Sequence, residues 1–527
     1  MEKITKNLTE AQNDYSVFLP SISGFYATFI GKQRYETYID PARIPAGLGT
    51  VESLNFLNPT HGAFHYKWAL YSAGHAELDT SKFSAKEDMI RNRDRANSWL
   101  LGDSGGFQIA KGLWEGNWAD PTCPRAQKKR ELVVNWMEEY MDYGMMLDIP
   151  TWTFRDPKAS RASGIRSYQD AVTATHINAK FYMANRRGNF KVLNVLQGGN
   201  HQEADDWYAM FKDYCDPKKY PETHFNGWAM GGQNMCDVHL ILRRIVTMIH
   251  DGLLEPGIHD VMHFLGTSKL EWAVLLTDIQ RAVRKYHNPK FMITYDCASP
   301  FLATANGQVY HTIRIEDRGK WSYMMSPGAD NKKYATDNRL FSDAIVSDGI
   351  LESFEDSPIS ATCKIKDICI YKPGDLNKIG KEGRTSWDSF SYALQMGHNV
   401  WMHIESTQRA NRIYDSGQFP YMLIDEKFDR ILFKEIVDQI FSLKDRTKSL
   451  ALINQYSKFW MQVIGTRLNV GKKTVNASTQ FNNNFDEHSN ITESFIETQE
   501  NTRLSKKKET FKICENQFNT LFGDDNA

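Results

Sequence analysis

The fold is indicated first by the segment WLLGDSGGFQ at positions 99–108. Its apolar residues 99–101 predict a short buried strand, which ends at Asp103 and is followed by Ser104 and two glycines. A buried strand that ends in an acid and glycines is typical of an α/β protein, which presents polar groups at the edge of its sheet. Taken alone, the segment is equally typical of a plain turn, because Asp, Ser and Gly are favoured in turns.

The same pattern, an apolar run that ends in polar residues or glycine, recurs downstream. It is found at residues 145–150, 192–199, 228–232, 263–266 and 292–297. Segments with apolar residues at helical spacing lie between these runs, at 132–143, 168–186, 204–214, 238–250 and 270–286. The alternation predicts parallel strands joined by helical crossovers.

Repeated units of this kind favour an α/β fold of the (β/α)8 TIM-barrel type. An open doubly wound sheet is the alternative, less favoured because no Gly-x-Gly-x-x-Gly turn follows an early strand. The carboxyl ends of all strands of a barrel face one mouth. We therefore expect one pocket to be lined by Asp103, Asp148, Gln197, Gly232 and Asp296.

The length of 527 residues exceeds one simple domain, so the barrel is expected to carry insertions and a mainly helical C-terminal extension. The expected division is 1–94, an N-terminal segment of the barrel with divergent additions; 95–415, the catalytic barrel core; 416–470, a helical extension; and 471–527, a flexible Asn/Ser/Thr-rich tail with a short basic end. Residues 311–415 should complete the barrel and hold any metal subdomain, which would lie at 360–405, with helices at 387–396 and 400–414.

Composition indicates a cytoplasmic protein that does not enter a membrane. The N-terminus has no apolar signal core, and no apolar run approaches the roughly 18 residues that a membrane span needs. Seven scattered cysteines do not make a disulfide framework. The net charge of −1 leaves a nucleic-acid partner open, because such binding depends on local basic surface.

Three basic clusters offer that surface. They are Arg91, Arg93 and Arg95; Arg125, Lys128, Lys129 and Arg130; and Arg155, Lys158, Arg161 and Arg166. All three lie just before or after predicted strand ends, where a polyanion would reach the mouth of a barrel. Each cluster is also explained by an ordinary solvated face, and both interpretations stay open.

Six of the segments resemble, in the same order, motifs of the tRNA-guanine transglycosylase family, which includes queuine and archaeosine tRNA-ribosyltransferases. These are barrel enzymes that exchange guanine in a polynucleotide for a 7-deazaguanine base. The similar segments are the first catalytic loop at 103–108, the base-reading acid at 147–148, the Gln-Gly turn at 197–199, the Gly-Gly amide site at 230–232, the base-stacking segment at 263–266 and the nucleophile loop at 296–300. The resemblance covers about residues 95–310.

The resemblance implies two catalytic acids. Asp296 would be the nucleophile and Asp103 the general acid/base that protonates the departing guanine and takes a proton from the incoming base. The chemistry fits these residue types, because breaking an N-glycosidic bond develops positive charge on the sugar, which a carboxylate at the anomeric carbon stabilises or captures. A salt-bridged acid at a strand end is the structural alternative for Asp296.

The resemblance also implies a set of base-binding residues. Asp148 would accept hydrogen bonds from guanine N1 and the exocyclic amine, while Gln197 and the Gly232 N–H, beside Gly231, would donate to the carbonyl oxygen. Ser104 would line the pocket from the first catalytic loop. Phe107 and Leu265 would sandwich the ring, although such residues more often belong to a core and Gln197 also suits a helix cap.

One departure bears on the polynucleotide. After the nucleophile and its proline, the transfer-RNA enzymes have Thr-Arg and a further arginine that hold the anticodon loop, whereas residues 300–307 read PFLATANG here. An apolar stretch cannot make guanidinium contacts to phosphates. The segment resembles the branch that inserts 7-deazaguanines such as 7-cyano-7-deazaguanine into DNA, in phages and bacterial modification islands, and so protects DNA against restriction.

Two other functions remain open. The first alternative is a transglycosylase that acts on tRNA through an unusual RNA-binding surface. The second is a catalytically silent barrel that binds nucleic acid as a subunit, and the three acids Asp103, Asp148 and Asp296 argue against it. Oligomeric state and any helper protein are not indicated by the sequence.

The sequence offers only part of the ligand set of a structural zinc site. The family's site has three cysteines and a histidine. This chain offers Cys363, Cys369 and His398, with Asp367 or His403 as a fourth ligand, and these residues are equally explained as remnants that bind no metal. No organic cofactor is expected.

Overall fold

The computed structural model describes residues 4–85, 88–370, 386–425, 430–460 and 462–463. Within these residues an eight-stranded, wholly parallel sheet curls into a nearly closed barrel in the order β1-β8-β7-β6-β5-β4-β3-β2. The strands are β1 (Val17–Pro20), β2 (Trp68–Ser72), β3 (Trp99–Asp103), β4 (Tyr143–Met145), β5 (Lys191–Leu196), β6 (Gly227–Met230), β7 (Val261–Phe264) and β8 (Met292–Cys297). The predicted (β/α)8 barrel fold is confirmed.

Two contacts bring the ends of the sheet together. Ser21, directly after β1, forms a parallel bridge with Leu70 of β2. The backbone N–H of Ile22 donates to the carbonyl of Leu70 over 2.9 Å. Strands β1, β6 and β7 are buried along their whole length, as expected where helices cover one face of a sheet and packed side chains fill the other.

Helices surround the barrel and continue beyond it. They are α1 (Gly24–Tyr35), α2 (Asp88–Arg91), α3 (Gly106–Ala110), α4 (Pro124–Tyr140), α5 (Pro157–Ser163), α6 (Tyr168–Asn185), α7 (His201–Phe211), α8 (Val238–His250), α9 (Leu270–Tyr286), α10 (Ser299–Ala305), α11 (Phe341–Ser347), α12 (Ile365–Ile368), α13 (Ser389–Asp415), α14 (Phe433–Ser442), α15 (Arg446–Gln455) and α16 (Ser457–Trp460). Short side chains fix several starts: Ser167, Asn200 and Asp237 cap α6, α7 and α8 by accepting from backbone N–H groups.

Parallel register sets the polar strand ends at one level. Ser72 of β2 pairs with Asp103 of β3, and Leu19 of β1 pairs with Asp296 of β8. Because all eight strands run in the same direction, the loops that follow them lie on one face of the barrel. The candidate site lies on this face.

The barrel is complete earlier in the chain than expected. Its last strand is β8, so the prediction that residues 311–415 complete the ring is wrong for the strands; β1 and β2, both before residue 94, supply the missing pair. Residues after β8 instead form an antiparallel hairpin, β9 (Gln308–Arg314) with β10 (Ser322–Pro327), and the long helix α13.

Helix α13 also corrects a second expectation. The helices expected at 387–396 and 400–414 form one 27-residue helix, because Gly397 and Asn399 between them do not break it. Both are buried. A Cβ at Gly397 would lie 2.6 Å from Ile359 Cδ1, so this glycine allows the helix to pack closely against Ile359.

The C-terminal extension is helical where it is described. Helices α14 and α15 follow a short antiparallel pair, β11 (Ile424–Asp425) with β12 (Ile431–Leu432). The tail expected at 471–527 lies outside the described residues. No helix among the described residues is long and apolar enough to cross a membrane.

Candidate active site

Asp296 is held by groups from the ends of the two strands that neighbour its own, β1 and β7. It lies in β8, where Oδ2 accepts a 2.5 Å hydrogen bond from Ser21 Oγ and Oδ1 accepts from the backbone N–H of Gly266 at 3.0 Å. His263 of β7 places Nε2 3.2 Å from Oδ1, outside hydrogen-bonding geometry, while its Nδ1 is 2.9 Å from Thr294 Oγ1. The carboxylate is therefore oriented by neutral donors and has no Lys or Arg partner among the ion pairs of the described residues.

Asp103 is held in a similar way at the end of β3. Its Oδ2 accepts from Ser72 Oγ at 2.6 Å, and its Oδ1 lies 3.4 Å from the N–H of Gly105. Burial raises the pKa of this carboxyl, and the nearby charge of Asp296 raises it further. Asp103 is therefore biased towards the protonated form, as a general acid requires.

The two acids belong to one electrostatic unit. Each lies at the carboxyl end of its strand, and each has a serine partner on an adjoining strand or strand end. Like charges in one site favour protonation of one partner and ionisation of the other. Asp103 is the partner whose pKa is raised, so it is the one biased towards the protonated form.

Asp148 and Gln197 form a second polar pair at the same mouth. Gln197 Nε2 donates to Asp148 Oδ2 at 2.7 Å, and both residues are buried. Burial raises the pKa of Asp148 to about 7, against the lowering effect of the Gln197 hydrogen bond, and the charge of Asp103 raises it further. The loop at 103–108 is adjacent, since a Cβ on Gly106 would lie 2.4 Å from the carbonyl oxygen of Asp148.

The Gly-Gly segment after β6 packs against this pair. Gly231 N–H donates to Leu196 O at 2.9 Å and so continues the sheet ladder. Gly232 opens the next helical turn at φ +56°, where a Cβ would lie 2.4 Å from Gly198 O. The first N–H groups of such a turn lack partners within it, which leaves Gly232, not Gly231, as the amide suited to a ligand carbonyl.

The residues predicted to stack on a base are placed unequally. Phe107 is 43% exposed and meets Trp152 edge-on, with ring centroids 6.0 Å apart. Lys111 Nζ lies 5.2 Å from the Phe107 ring and 5.7 Å from the Trp152 ring. Leu265 is partly buried against the core, and Ser104 is buried. Phe107 thus offers an aromatic face at the rim.

The cysteine group predicted to bind zinc does not have the arrangement of a metal site. His398 uses both ring nitrogens, Nδ1 with Ser357 Oγ at 3.0 Å and Nε2 with Tyr310 O at 2.8 Å. Cys369 Sγ donates to Ala329 O, and burial raises the pKa of Cys363 and of Cys369 to about 12. The structure does not bring these three side chains together as ligands, because the fold uses them as packed and hydrogen-bonded core residues.

A different group could hold a metal ion. Among the described residues one set of His, Cys, Asp or Glu side chains has ligand atoms within 4.8 Å of one another, namely His201, Asp237 and His239. These residues lie in the loops and helix starts that follow β5 and β6. They were not singled out from the sequence because 36 residues separate the first from the second.

The basic clusters differ in their accessibility. Arg93 and Arg130 are buried and serve the fold: Arg93 pairs with Asp142 at 2.8 Å, and Arg130 donates to Asn178 Oδ1 at 2.6 Å. The functional interpretation therefore fails for these two residues. A cleft of about 820 Å³ remains between the loops that follow β3 and β4, and exposed Arg125, Lys158, Arg161 and Arg166 line it.

Several site residues were missed in the sequence. Ser21 and Ser72 follow the apolar runs 17–20 and 68–71, so the same strand-end pattern would have found them. His263 lies in the recognised segment 263–266 but was given no role there, and Trp152 carries no such signal, because a tryptophan in a loop is a common core residue.

Comparison with models of protein families gave no match to this chain, and comparison with curated proteins gave none either.

Proposed function

We propose that this chain is a transglycosylase that replaces guanine in DNA with a 7-deazaguanine base through a covalent glycosyl-aspartate intermediate. One observation carries the proposal: Asp103 and Asp296 lie at one barrel mouth, coupled by charge, beside the Asp148–Gln197 pair. Guanine exchange needs an acid–carboxylate pair that breaks the glycosidic bond. It also needs side chains that recognise the hydrogen-bonding edge of the base. The modified base would protect the DNA against restriction.

The catalytic pair accounts for both halves of the exchange. In the first half, Asp296 attacks the anomeric carbon, the N-glycosidic bond breaks, and Asp103 gives its proton to the departing guanine. In the second half, Asp103 takes the N9 proton of the incoming base, whose nitrogen displaces Asp296 from the sugar. The enzyme returns to its starting protonation state, so no energy source is consumed.

The Asp148–Gln197 pair fits the edge of guanine. Guanine presents two donors, N1–H and the exocyclic amine, next to a carbonyl acceptor, and a 7-deazaguanine presents the same edge. Ionised Asp148 would accept from both donors, while Gln197 has a second amide N–H that can reach the carbonyl with that of Gly232. A pKa of about 7 means that these donors would bind about half-ionised Asp148 near neutral pH and favour its charged form.

Two features bear on the polynucleotide, and the first of them favours DNA over tRNA. The segment after the nucleophile forms the helix α10, in which Phe301 and Ala303 are buried, so it supplies no arginine to an anticodon loop. The cleft lined by Arg125, Lys158, Arg161 and Arg166 adjoins the loops of Asp103 and Asp148, where a phosphate backbone would run if a flipped guanine entered the mouth. The tRNA-directed enzyme stays the second candidate, since a phosphate backbone is common to both polymers.

Zinc is not given a role in this chemistry. The Cys363, Cys369 and His398 group does not fit a tetrahedral zinc ion, because both nitrogens of His398 are engaged. Every step above is assigned to side chains of this chain.

The proposal is tested by offering labelled guanine with duplex DNA, and separately with unmodified tRNA, to the full-length protein and to Asp296→Asn. Label that enters DNA with the natural chain alone supports the proposal. Label that enters only tRNA transfers the proposal to the tRNA enzyme. Label in neither polymer, together with tight DNA binding, favours the silent nucleic-acid-binding barrel.

A further inference from the structure

A histidine–aspartate–histidine group lies on the mouth face of the barrel, behind the loops that carry Gln197 and Gly232. His201 Nε2 is 2.7 Å from Asp237 Oδ2, and the rings of His201 and His239 stack with centroids 5.7 Å apart. The Asp237 side chain is fully buried, whereas that of His201 is 20% exposed. The group thus has a protected carboxylate and one edge open to solvent.

The hydrogen bonds of His239 leave one nitrogen with an unused lone pair. Its Nε2 is 2.9 Å from Asn454 Oδ1 of α15, and an amide oxygen accepts, so Nε2 carries the proton. Nδ1 is then the unprotonated nitrogen, and it is buried without a hydrogen-bond partner among the described residues. This is the state of a ligating histidine whose other nitrogen donates to an outer carbonyl.

Asp237 is oriented before any ion arrives. Its Oδ1 accepts from Leu240 N–H at 3.1 Å as the cap of α8, and its Oδ2 accepts from Gln233 Nε2 at 3.1 Å. These contacts hold the carboxylate between the two histidines. Ligands fixed by outer hydrogen bonds lose little freedom when they bind a metal.

We propose that His201, Asp237 and His239 form a structural site for a divalent transition-metal ion of the zinc class. Two imidazoles and one carboxylate suit zinc, cobalt or nickel, whereas calcium and magnesium prefer all-oxygen sites. Tetrahedral ligands at about 2.0–2.2 Å from zinc lie about 3.3 Å apart, so the His201–Asp237 contact would lengthen by only about half an ångström. The proton that His201 Nε2 and Asp237 Oδ2 now share would be released to solvent when the ion binds. Water would complete the fourth position.

The bound ion would join three parts of the chain. His201 begins α7, Asp237 caps α8, and Asn454 holds His239 from α15. The loops before α7 and α8 are already in contact through Gln233 N–H to Gly198 O at 2.7 Å and Asn234 Nδ2 to Gln197 O at 3.2 Å. The metal would therefore stiffen the backbone that presents Gln197 and Gly232.

The test uses the untagged full-length protein, stripped with a chelator and titrated with Co²⁺, whose visible absorption reports four-coordinate sites. The wild type is expected to bind about one ion per chain, and Zn²⁺ should displace it. His201→Ala and His239→Ala should lose the absorption, and Asn454→Ala should weaken the affinity about 10-fold. His239→Cys should keep the ion and add a thiolate-to-cobalt charge-transfer band.

The double variant Cys363→Ser/Cys369→Ser is the matched control and should bind Co²⁺ like the wild type. The proposal is overturned if the wild type takes up no Co²⁺ at micromolar concentration, or if His239→Ala keeps the absorption. It is also overturned if the cysteine double variant loses the absorption, or if folded His239→Cys shows no charge-transfer band. None of these readouts depends on base exchange.

Discussion

The side-chain amide of Gln197 donates to Asp148 Oδ2 over 2.7 Å, which joins the polar residues that follow two neighbouring strands, β4 and β5. Burial raises the pKa of Asp148 to about 7 despite this hydrogen bond, so the carboxyl is about half-ionised at neutral pH. Asp148 can therefore become ionised when hydrogen-bond donors of a ligand replace the water contacts that burial has removed. The first prediction follows from this relationship.

Asp148→Asn should make the protein more stable at pH 8 and leave stability near pH 4 almost unchanged. The folded pKa of about 7 exceeds the usual value of 3.8, so the folded state holds the proton more tightly. Its contribution to stability is present below about pH 4 and is lost as the pH rises through about 7. A shift of about three units corresponds to at most about 4 kcal/mol. Urea unfolding of both proteins across this pH range measures the difference.

The control for this prediction is Asp79→Asn. Asp79 is a partly exposed residue whose pKa is lowered by hydrogen bonds from Ser81, so its neutral replacement should bring no gain at pH 8. Equal stabilisation by both variants would show that general charge reduction, and not burial of Asp148, is responsible.

Asp296→Asn should abolish the covalent protein–DNA intermediate and reduce base exchange by about 10³-fold or more, because an amide cannot act as the nucleophile. Ser21→Ala is the matched variant: it removes the hydrogen bond that orients Oδ2 and should lower kcat by about 10-fold while the intermediate still forms. Denaturing gels of reactions with labelled DNA detect the adduct. An adduct in Asp296→Asn would disprove the assignment.

Asp103→Asn should lower exchange by about 10²–10⁴-fold through the loss of general acid catalysis. Burial raises the pKa of Asp103, so the natural chain keeps this proton at a pH where an exposed aspartate is ionised. A leaving base that departs without protonation, such as 7-methylguanine, should be released by the variant at nearly the natural rate. An equal loss with both leaving bases would assign Asp103 a structural role.

Gly232→Ala should raise KM more than it lowers kcat and should destabilise the fold. The residue has φ +56°, and a Cβ would lie 2.4 Å from Gly198 O, so the amide presented to the base must shift. Gly188→Ala is the control, since Gly188 has φ +90° and open space around the Cβ position. It should cost only about 1 kcal/mol of backbone strain and leave KM unchanged. Steady-state kinetics of both variants makes the comparison.

Replacing Lys158, Arg161 and Arg166 together by Ala should weaken DNA binding and reduce the salt dependence of the binding constant. Each lost phosphate contact lowers the slope of log K against log salt by about 0.9, so the triple variant should lose up to about 2.7. Exposed Lys290 precedes β8 at the opposite end of the barrel, and Lys290→Ala should keep the slope. Fluorescence anisotropy at several salt concentrations measures both.

Sequence periodicity predicted much of the barrel. Helices α8 and α9 begin and end where the apolar spacing placed them, because each has a strongly one-sided apolar face and α8 a side-chain cap at Asp237. Strands β3 and β8 were recognised by buried runs that end in Asp103 and in the segment from Asp296 to Cys297. Local physics determines these elements, so a local pattern reveals them.

Contacts between residues that are far apart in the sequence could not be predicted from local patterns. Nothing near Asp296 in the sequence indicates Ser21, and nothing near His201 indicates Asp237 or His239. The predicted zinc ligands illustrate the opposite error. Cysteines and a histidine in about the right order suggested a metal site, but they are core residues, because His398 is hydrogen-bonded to Ser357 and Tyr310. The spacing of residues along the chain predicts a shared site only when the residues lie in the same helix, strand or loop.

The pairing of β1 with β8 has a consequence for the newly synthesised chain. Ser21 and Asp296 are 275 positions apart; Ser21 directly follows β1, the first strand, and Asp296 lies in β8, the last. A ribosome that has released only the first seven strands has already made Asp103, Asp148 and Gln197, but neither Asp296 nor the rest of the strand that pairs with β1. Under the proposed function, an unfinished chain lacks the carboxylate that would attack the sugar. Base cleavage could then begin only after the last strand of the ring has been made.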